Sequence, residues 1–326
     1  MEKITMLGVS NSGKTCFIYA MYDFMQKVQN GFTFITKDPD VDLDLNEGWE
    51  SIAFDGIWPE GTQQTLLYEF AVLFKSNPIM EFSWCDYRGG AITERSTEHD
   101  VKELHGRIFD SGCLIICIGA DTIKEIIDGN YRRRRELIRL NNLISRFGSD
   151  NKRRIPIIFA LTKADLYTTD DHKKLLGIIK EYFSSLYVEG ANWLHAIVPV
   201  TLGKFKDTSS NRIEGVVSPK NVHVPVMFFL HSILKERIID IQNKLSGITI
   251  NRNNYKAEIR SNQGKTWWNK LWYGDNTKSL NSQIHLLNEE EKNISAQLEE
   301  LERAFDSMGD MFKVCKVFYE NQEIKI

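Results

Sequence analysis

The chain has 326 residues, a formal charge of −3, and 42% apolar against 26% charged residues. This is the balance of an ordinary globular protein of one large domain with an appendage, or of two domains. It gives no overall reason to expect nucleic-acid binding, and no apolar run approaches the ~20 residues of a membrane-crossing helix. Five cysteines without a C-x-x-C pair fit a reducing cytoplasm, and seven histidines without metal spacing predict no transition-metal site.

Ile4-Thr5-Met6-Leu7 reads as a short apolar strand close to the first residue, so no leader peptide is expected. It runs into Gly8-Val9-Ser10-Asn11-Ser12-Gly13-Lys14-Thr15, a complete G-x-x-x-x-G-K-[ST] loop, and then into Cys16-Phe17-Ile18-Tyr19-Ala20-Met21, which reads as helix. Strand, loop and helix in that order are the context in which such a loop cradles phosphate. The glycines let the backbone curl, so that N–H groups from Gly8 to Cys16 turn toward phosphate oxygens at a helix N-terminus. Lys14 is placed to reach the outer phosphates, and the Thr15 hydroxyl to ligate Mg²⁺. The loop predicts a nucleotide-binding chain.

Next comes Trp58-Pro59-Glu60-Gly61-Thr62-Gln63-Gln64-Thr65. A loop that senses a terminal phosphate needs a hydroxyl or a carbonyl to complete the Mg²⁺ shell, and Thr62 and Thr65 are the candidates. Both residues equally suit the start of a strand. Strand-like runs follow at Thr65–Phe74 and Ile79–Cys85, the second ending in Asp86-Tyr87-Arg88-Gly89. A carboxylate there would hold Mg²⁺ through water, and the Gly89 N–H would meet the terminal phosphate.

Further strand-like runs at Cys113–Gly119, Ile155–Leu161 and Ala196–Thr201 alternate with helical patterns at Arg132–Phe147, His172–Leu186 and from Val224 onward. The alternation predicts an α/β fold with a mostly parallel sheet, helices on both faces and the ligand at the carboxyl ends of the strands. Two more motifs fall at such ends. In Thr162-Lys163-Ala164-Asp165 the aspartate can accept from the ring N–H and amino group of guanine, with the lysine stem along base and ribose. In Thr201-Leu202-Gly203-Lys204 a backbone N–H of Leu202 or Gly203 is set to meet the guanine carbonyl. The arginine run Arg132 to Arg135 reads as a solvated helix start, of which at most two residues share a surface with Arg139. The alternative is a contact for an acidic partner or an anionic membrane.

The ordered set GVSNSGKT, WPEGTQQT, DYRGG, TKAD and TLGK resembles the Ras-like and TRAFAC-class P-loop GTPases over roughly the first 240 residues. Within that superfamily it is similar to bacterial small-GTPase relatives reading W-P-x-G-T and D-Y-x-G-G. The resemblance implies a P-loop NTPase fold with GTP, GDP and Mg²⁺ as ligands. From it Lys14, Thr15, Asp86, Lys163 and Asp165 take the family's phosphate, Mg²⁺ and guanine roles, while Arg88, Gly89 and Thr65 stand as further catalytic candidates, Thr65 with Thr62 as its alternative at the metal.

Two positions depart from the family. Thr162 replaces the usual asparagine, which is expected to weaken a buttressing hydrogen bond to the phosphate loop. Gly90 stands where Ras-like members carry a water-orienting glutamine, so hydrolysis is expected to be slow unless Arg88, Glu94 or a partner's arginine completes the site. Asn11 stands where some members help to ligate K⁺, and most do not use it so.

Beyond Val224 the helix pattern does not stop. Met227, Leu234, Ile241, Ile248 and Tyr255 recur every seven residues beside His231, Ile238, Leu245, Arg252 and Ile259. The seam resumes at Leu280, Leu287, Ile294, Leu301 and Met308, beside Ile284, Glu291, Leu298, Phe305 and Phe312. Two such segments predict an antiparallel helical hairpin, a coiled-coil arm, in which Arg252 and Glu291 lie far enough from the tip to face one another. The domains read as 1–243 for the nucleotide domain and 244–326 for the arm, with a tip at about 262–278 carrying Trp267, Trp268 and Trp272. That tip reads as a cap on the hairpin, with a protein contact or a peripheral membrane contact as alternatives.

The reading that joins these parts is a cytoplasmic GTP-binding switch with slow Mg²⁺-dependent hydrolysis, coupled to an interaction arm. A protein partner would meet the arm or the switch loops, and dimerisation is left open. The alternative is a nucleotide-stabilised scaffold with little or no turnover.

Overall fold

The computed structural model describes residues 1–61, 64–87, 98–150, 154–167, 169–205, 212–263 and 277–326. Thr62, Arg88, Gly89, Gly90, Glu94 and the tryptophan-rich stretch with Trp267, Trp268 and Trp272 lie outside the described residues. Two compact units are present, one of Met1–Phe229 with Gly309–Ile326 and one of Leu230–Met308.

The first unit carries the strands β1 (Glu2–Leu7), β2 (Phe32–Thr36), β3 (Leu66–Phe74), β4 (Asn77–Asp86), β5 (Cys113–Gly119), β6 (Ile157–Thr162), β7 (Leu194–Pro199), β8 (Thr201–Phe205), β9 (Gly215–Lys220), β10 (Lys316–Tyr319) and β11 (Gln322–Ile324). Nine of them form one sheet in the order β11-β10-β7-β6-β5-β1-β4-β3-β2, and β8 and β9 pair apart from it. The five central strands, β4, β1, β5, β6 and β7, run parallel. Antiparallel strands extend both edges, so the sheet is mixed around the expected parallel centre. The sequence explains the division. Cys113–Gly119 and Ile157–Thr162 are buried at every residue, as strands covered on both faces require. β3 instead buries every second residue from Tyr68 to Phe74.

Helices α1 (Lys14–Gln26), α2 (Pro39–Ala53), α3 (Glu98–Phe109), α4 (Ala120–Ile127), α5 (Tyr131–Asp150) and α6 (Thr169–Tyr182) flank the sheet. Leu114 and Ile116 of β5 and Ile157 and Phe159 of β6 share a core with Leu104, Ile123, Leu140 and Ile179 from α3, α4, α5 and α6. On the other face Trp84 and Phe82 of β4 meet Phe17 of α1 and Phe229, with ring centroids 5.9 Å and 5.7 Å apart. Each fully buried aromatic of this kind contributes about 1.5–3 kcal/mol. The start of α2 is set by Asp38, whose carboxylate accepts the Asp40 N–H at 2.9 Å, with Pro39 in the first turn.

The unit boundary departs from the sequence reading at both ends of the arm. It falls inside α7 (Val224–Gln263), whose first turns are wholly buried within the first unit. After Met308 the chain returns to the first unit. Phe312, read from the heptads as a seam residue, packs there against Phe228 at 5.9 Å, and β10 pairs antiparallel with β7. Val317 and Phe318 are buried by that pairing, which no helical period foretells.

The second unit joins the rest of α7 to α8 (Thr277–Asp306). His231 stacks on Phe305 at 4.3 Å, the Gln242 amide donates to Glu302 Oε1 at 3.2 Å, and the Arg252 guanidinium pairs with Glu291. Rising numbers on one helix meet falling numbers on the other, so the two run antiparallel, and the polar seam pair meets as its register predicts. Among the described residues no helix is long and apolar enough to cross a membrane.

Candidate nucleotide-binding site

The loop between β1 and α1 has the backbone that its glycines permit. Gly13 lies in the left-handed region at φ +79°, directly before α1, and Asn11 adopts φ +64°. A Cβ on Gly8 would stand 2.6 Å from Ser12 Oγ and 2.8 Å from the Cys117 carbonyl oxygen, so the close approach of loop to β5 requires glycine. The Lys14 ammonium is buried and donates to the Gly8 and Val9 carbonyls at 2.9 Å and 3.3 Å. Burial pulls its pKa down, and the neighbouring Asp86 carboxylate opposes that shift. Burial also pushes the Cys16 thiol up to about 12, which leaves this residue only its backbone to offer a ligand.

Thr162 corrects the expectation of a weakened buttress. Its hydroxyl donates to the Ser12 carbonyl at 2.6 Å, and both residues are buried. A threonine at the end of β6 thus anchors the phosphate loop directly, because the loop lies one hydroxyl's reach away.

Asp86 ends β4 beside β1 and is fully buried. Its Oδ2 accepts from the Thr15 hydroxyl at 3.5 Å, while Oδ1 has no partner. Burial raises its pKa to about 6, against the opposing pull of Lys14 and Thr15. A carboxylate oxygen without a partner beside a hydroxyl is a hard-oxygen pair suited to Mg²⁺, which takes few protein ligands and completes its shell with water and phosphate. Among the described residues no cluster of three or more His, Cys, Asp or Glu offers an all-protein metal cage.

At the other end Lys163, at φ +55°, turns its ammonium onto the Asp121 carboxylate. The Thr201 hydroxyl lies 2.8 Å from Asp165 Oδ1 and equally 2.8 Å from the Gly203 carbonyl oxygen, so its one proton is shared between these two acceptors. The Gly203 N–H donates to Thr201 Oγ1 at 3.1 Å, so one of the two backbone donors expected here is already engaged.

These segments meet around one cavity of about 580 Å³. Ser10 to Phe17, Trp58 to Gly61, Thr162, Lys163, Asp165, Thr201, Leu202 and Phe205 are among the residues that line it. Gly8, Asp86 and Thr65, the last directly before β3, do not line it. Sequence reasoning missed Asp121, Arg133 and Phe205. Asp121 follows a buried parallel strand, a position where ligands gather, and that signal was readable. Arg133 carried none: from within the arginine run it lines the cavity, bonded to Glu125 at 2.9 Å and Glu136 at 3.1 Å. Arg132 and Arg135 are exposed with Arg139, so two of the four share its surface as expected.

No family model matches the chain, and no curated protein matches it. Among solved structures it is similar to a small COPII coat GTPase of Encephalitozoon cuniculi in complex with GDP, at 11% identity over 61% of this chain and 69% of that one, with a TM-score of 0.32. It is also similar to a signal recognition particle receptor complex with GTP from Chaetomium thermophilum, at 14% identity, 65% and 94% coverage and a TM-score of 0.38. A third likeness is to a bacterial dynamin pair, at 15% identity, 92% and 48% coverage and a TM-score of 0.30. Likenesses this distant leave the function to the site's own residues.

Proposed function

We propose that the chain binds GTP and GDP with Mg²⁺ and acts as a slowly hydrolysing switch whose state is passed to the helical arm. One observation carries this reading: residues from segments 10–17, 58–61, 162–166 and 200–202 line one cavity, which joins the glycine loop before α1 to the Asp165 carboxylate. The amides and Lys14 suit a polyphosphate. Asp165, beside the Thr201 hydroxyl, suits a purine with two adjacent donors, which guanine has and adenine lacks. Thr15 and Asp86 would hold Mg²⁺, which supplies charge neutralisation on the phosphates when bound.

Slow turnover follows from Gly90, which brings no side chain to orient water. The arm begins in the same helix that buries Val224–Phe229 in the nucleotide-binding unit, which supports a route from switch to partner. The test is paired. Titration with GDP, GTP and ATP under Mg²⁺ should show guanine selectivity, and single-turnover phosphate release should be slow and abolished by Lys14→Ala. Equal affinity for ATP would remove the base assignment. No phosphate release over hours would favour the scaffold instead.

A further inference from the structure

The β8–β9 hairpin has no place in the main sheet, and it is attached at both sides of the cavity. At its start the Thr201 hydroxyl lies 2.8 Å from Asp165 Oδ1. At the end of β8 the Phe205 ring meets Trp58 edge-on, with centroids 5.0 Å apart and planes at 79°. Two backbone contacts tie the neighbouring chain to the same segment: the Ile213 N–H donates to the Gly56 carbonyl at 2.7 Å, and Ile57 bridges antiparallel to Arg212. The hairpin's register shifts once, between Thr201 and Gly203, and the strands pair closely beyond that point. A Cβ on Gly203 would stand 2.0 Å from the Val216 carbonyl oxygen, and one on Gly215 would stand 2.1 Å from that of Lys204.

Trp58 and Phe205 both line the cavity. The Trp58 indole N–H is buried and has no hydrogen-bond partner. Buried donors are almost always paired, and one without a partner in a residue that lines a cavity points to an acceptor that arrives with the ligand.

We propose that this hairpin is a strap joining the base-reading aspartate to segment 56–61, with the Trp58–Phe205 contact as its clasp, and that the Trp58 N–H donates to an oxygen of the bound nucleotide. The donor half rests on the nucleotide reading above; the strap half does not. The paired strand of five residues spans roughly 15 Å at ~3.3 Å per residue, with one register shift directly after Thr201. Guanine arriving at Asp165 competes with Thr201 for the carboxylate, and any shift of Thr201 is carried along β8 to Phe205 and so to the loop that precedes Thr62. The two ends of the nucleotide are coupled through the protein as well as through the ligand.

The test uses the full chain in two arms. Amide hydrogen exchange on nucleotide-free protein should show Gly56–Trp58 and Ile213 exchanging about tenfold faster in Phe205→Ala, the loss of roughly one clasping contact, with β5 and β6 unchanged and Phe205→Trp close to wild type. Exchange unaltered by Phe205→Ala overturns the strap. In the second arm, release of fluorescently labelled GDP into excess GDP should quicken about tenfold in Trp58→Phe, which keeps a ring and loses one hydrogen bond, with association unchanged. Release at the wild-type rate in Trp58→Phe overturns the donor role. Should wild-type protein take up no GDP, the nucleotide reading and the donor role fall together, while the exchange arm still decides the strap.

Discussion

Thr162→Val is the sharpest probe of how the phosphate loop is held. The change keeps both branches of the side chain, so the space beside Gly13 stays filled. What it deletes is one short buried hydrogen bond, 2.6 Å from Thr162 Oγ1 to the Ser12 carbonyl. Such a bond is worth about 0.5–1.5 kcal/mol net, and a buried carbonyl left without its donor costs about 1–3 kcal/mol. The expected loss is about 1.5 kcal/mol of unfolding free energy and about tenfold in GDP affinity, because the loop amides lose their fixed aim. Thr162→Asn, with an amide donor of greater reach, should recover most of both. Urea unfolding and calorimetric titration of GDP with Mg²⁺ measure the two quantities. A valine variant with wild-type midpoint and wild-type affinity would refute the anchoring role.

Asp86 predicts a pH dependence. Its folded pKa is raised from 3.8 to about 6 in the nucleotide-free protein. The folded state therefore holds the proton more tightly, so this contribution to stability is present below pH ~4 and lost as pH rises to about 6, a swing of about 3 kcal/mol. Urea unfolding of wild type and Asp86→Asn across pH 4–7 should show that component only in the wild type, and parallel curves would contradict it. Asp165→Ala should erase a preference for GTP over ATP of about 100-fold or more, measured by competition binding; a preference surviving intact would place base recognition elsewhere. In the arm, the Arg252 and Glu291 side chains are 21% and 30% exposed, so their pairing is screened and its coupling should be about 1 kcal/mol or less in a double-mutant cycle. Charge reversal at Arg252 alone should lower the melting temperature, and reversal of both should restore it; failure of that rescue would argue against the pairing.

The strands β5 and β6 were legible because they are almost entirely apolar, and the phosphate loop because its chemistry dictates residue types at fixed spacing. The arm was legible through its seven-residue period, down to the polar pair Arg252–Glu291. The end of the arm was not. Lys316–Tyr319 is four residues long, and its partner β7 lies more than a hundred positions earlier, so nothing local announces the pairing. The signals for α2, an aspartate cap before a proline, were present at Asp38-Pro39 and went unread. The Thr162 anchor could not be judged from residue type alone, since it depends on how closely β6 brings the hydroxyl to Ser12. Phe205 was invisible for a similar reason: its role arises from a hairpin that bends back on a loop far earlier in the chain.

The most direct measurement is isothermal titration of the purified chain with GDP, GTP and ATP in the presence and absence of magnesium. Guanine nucleotides should bind at a single site, more tightly with magnesium, and ATP should bind far more weakly, with Lys14→Ala and Asp165→Ala each removing a different part of that pattern. Absence of heat with either guanine nucleotide under magnesium would contradict the account at its root.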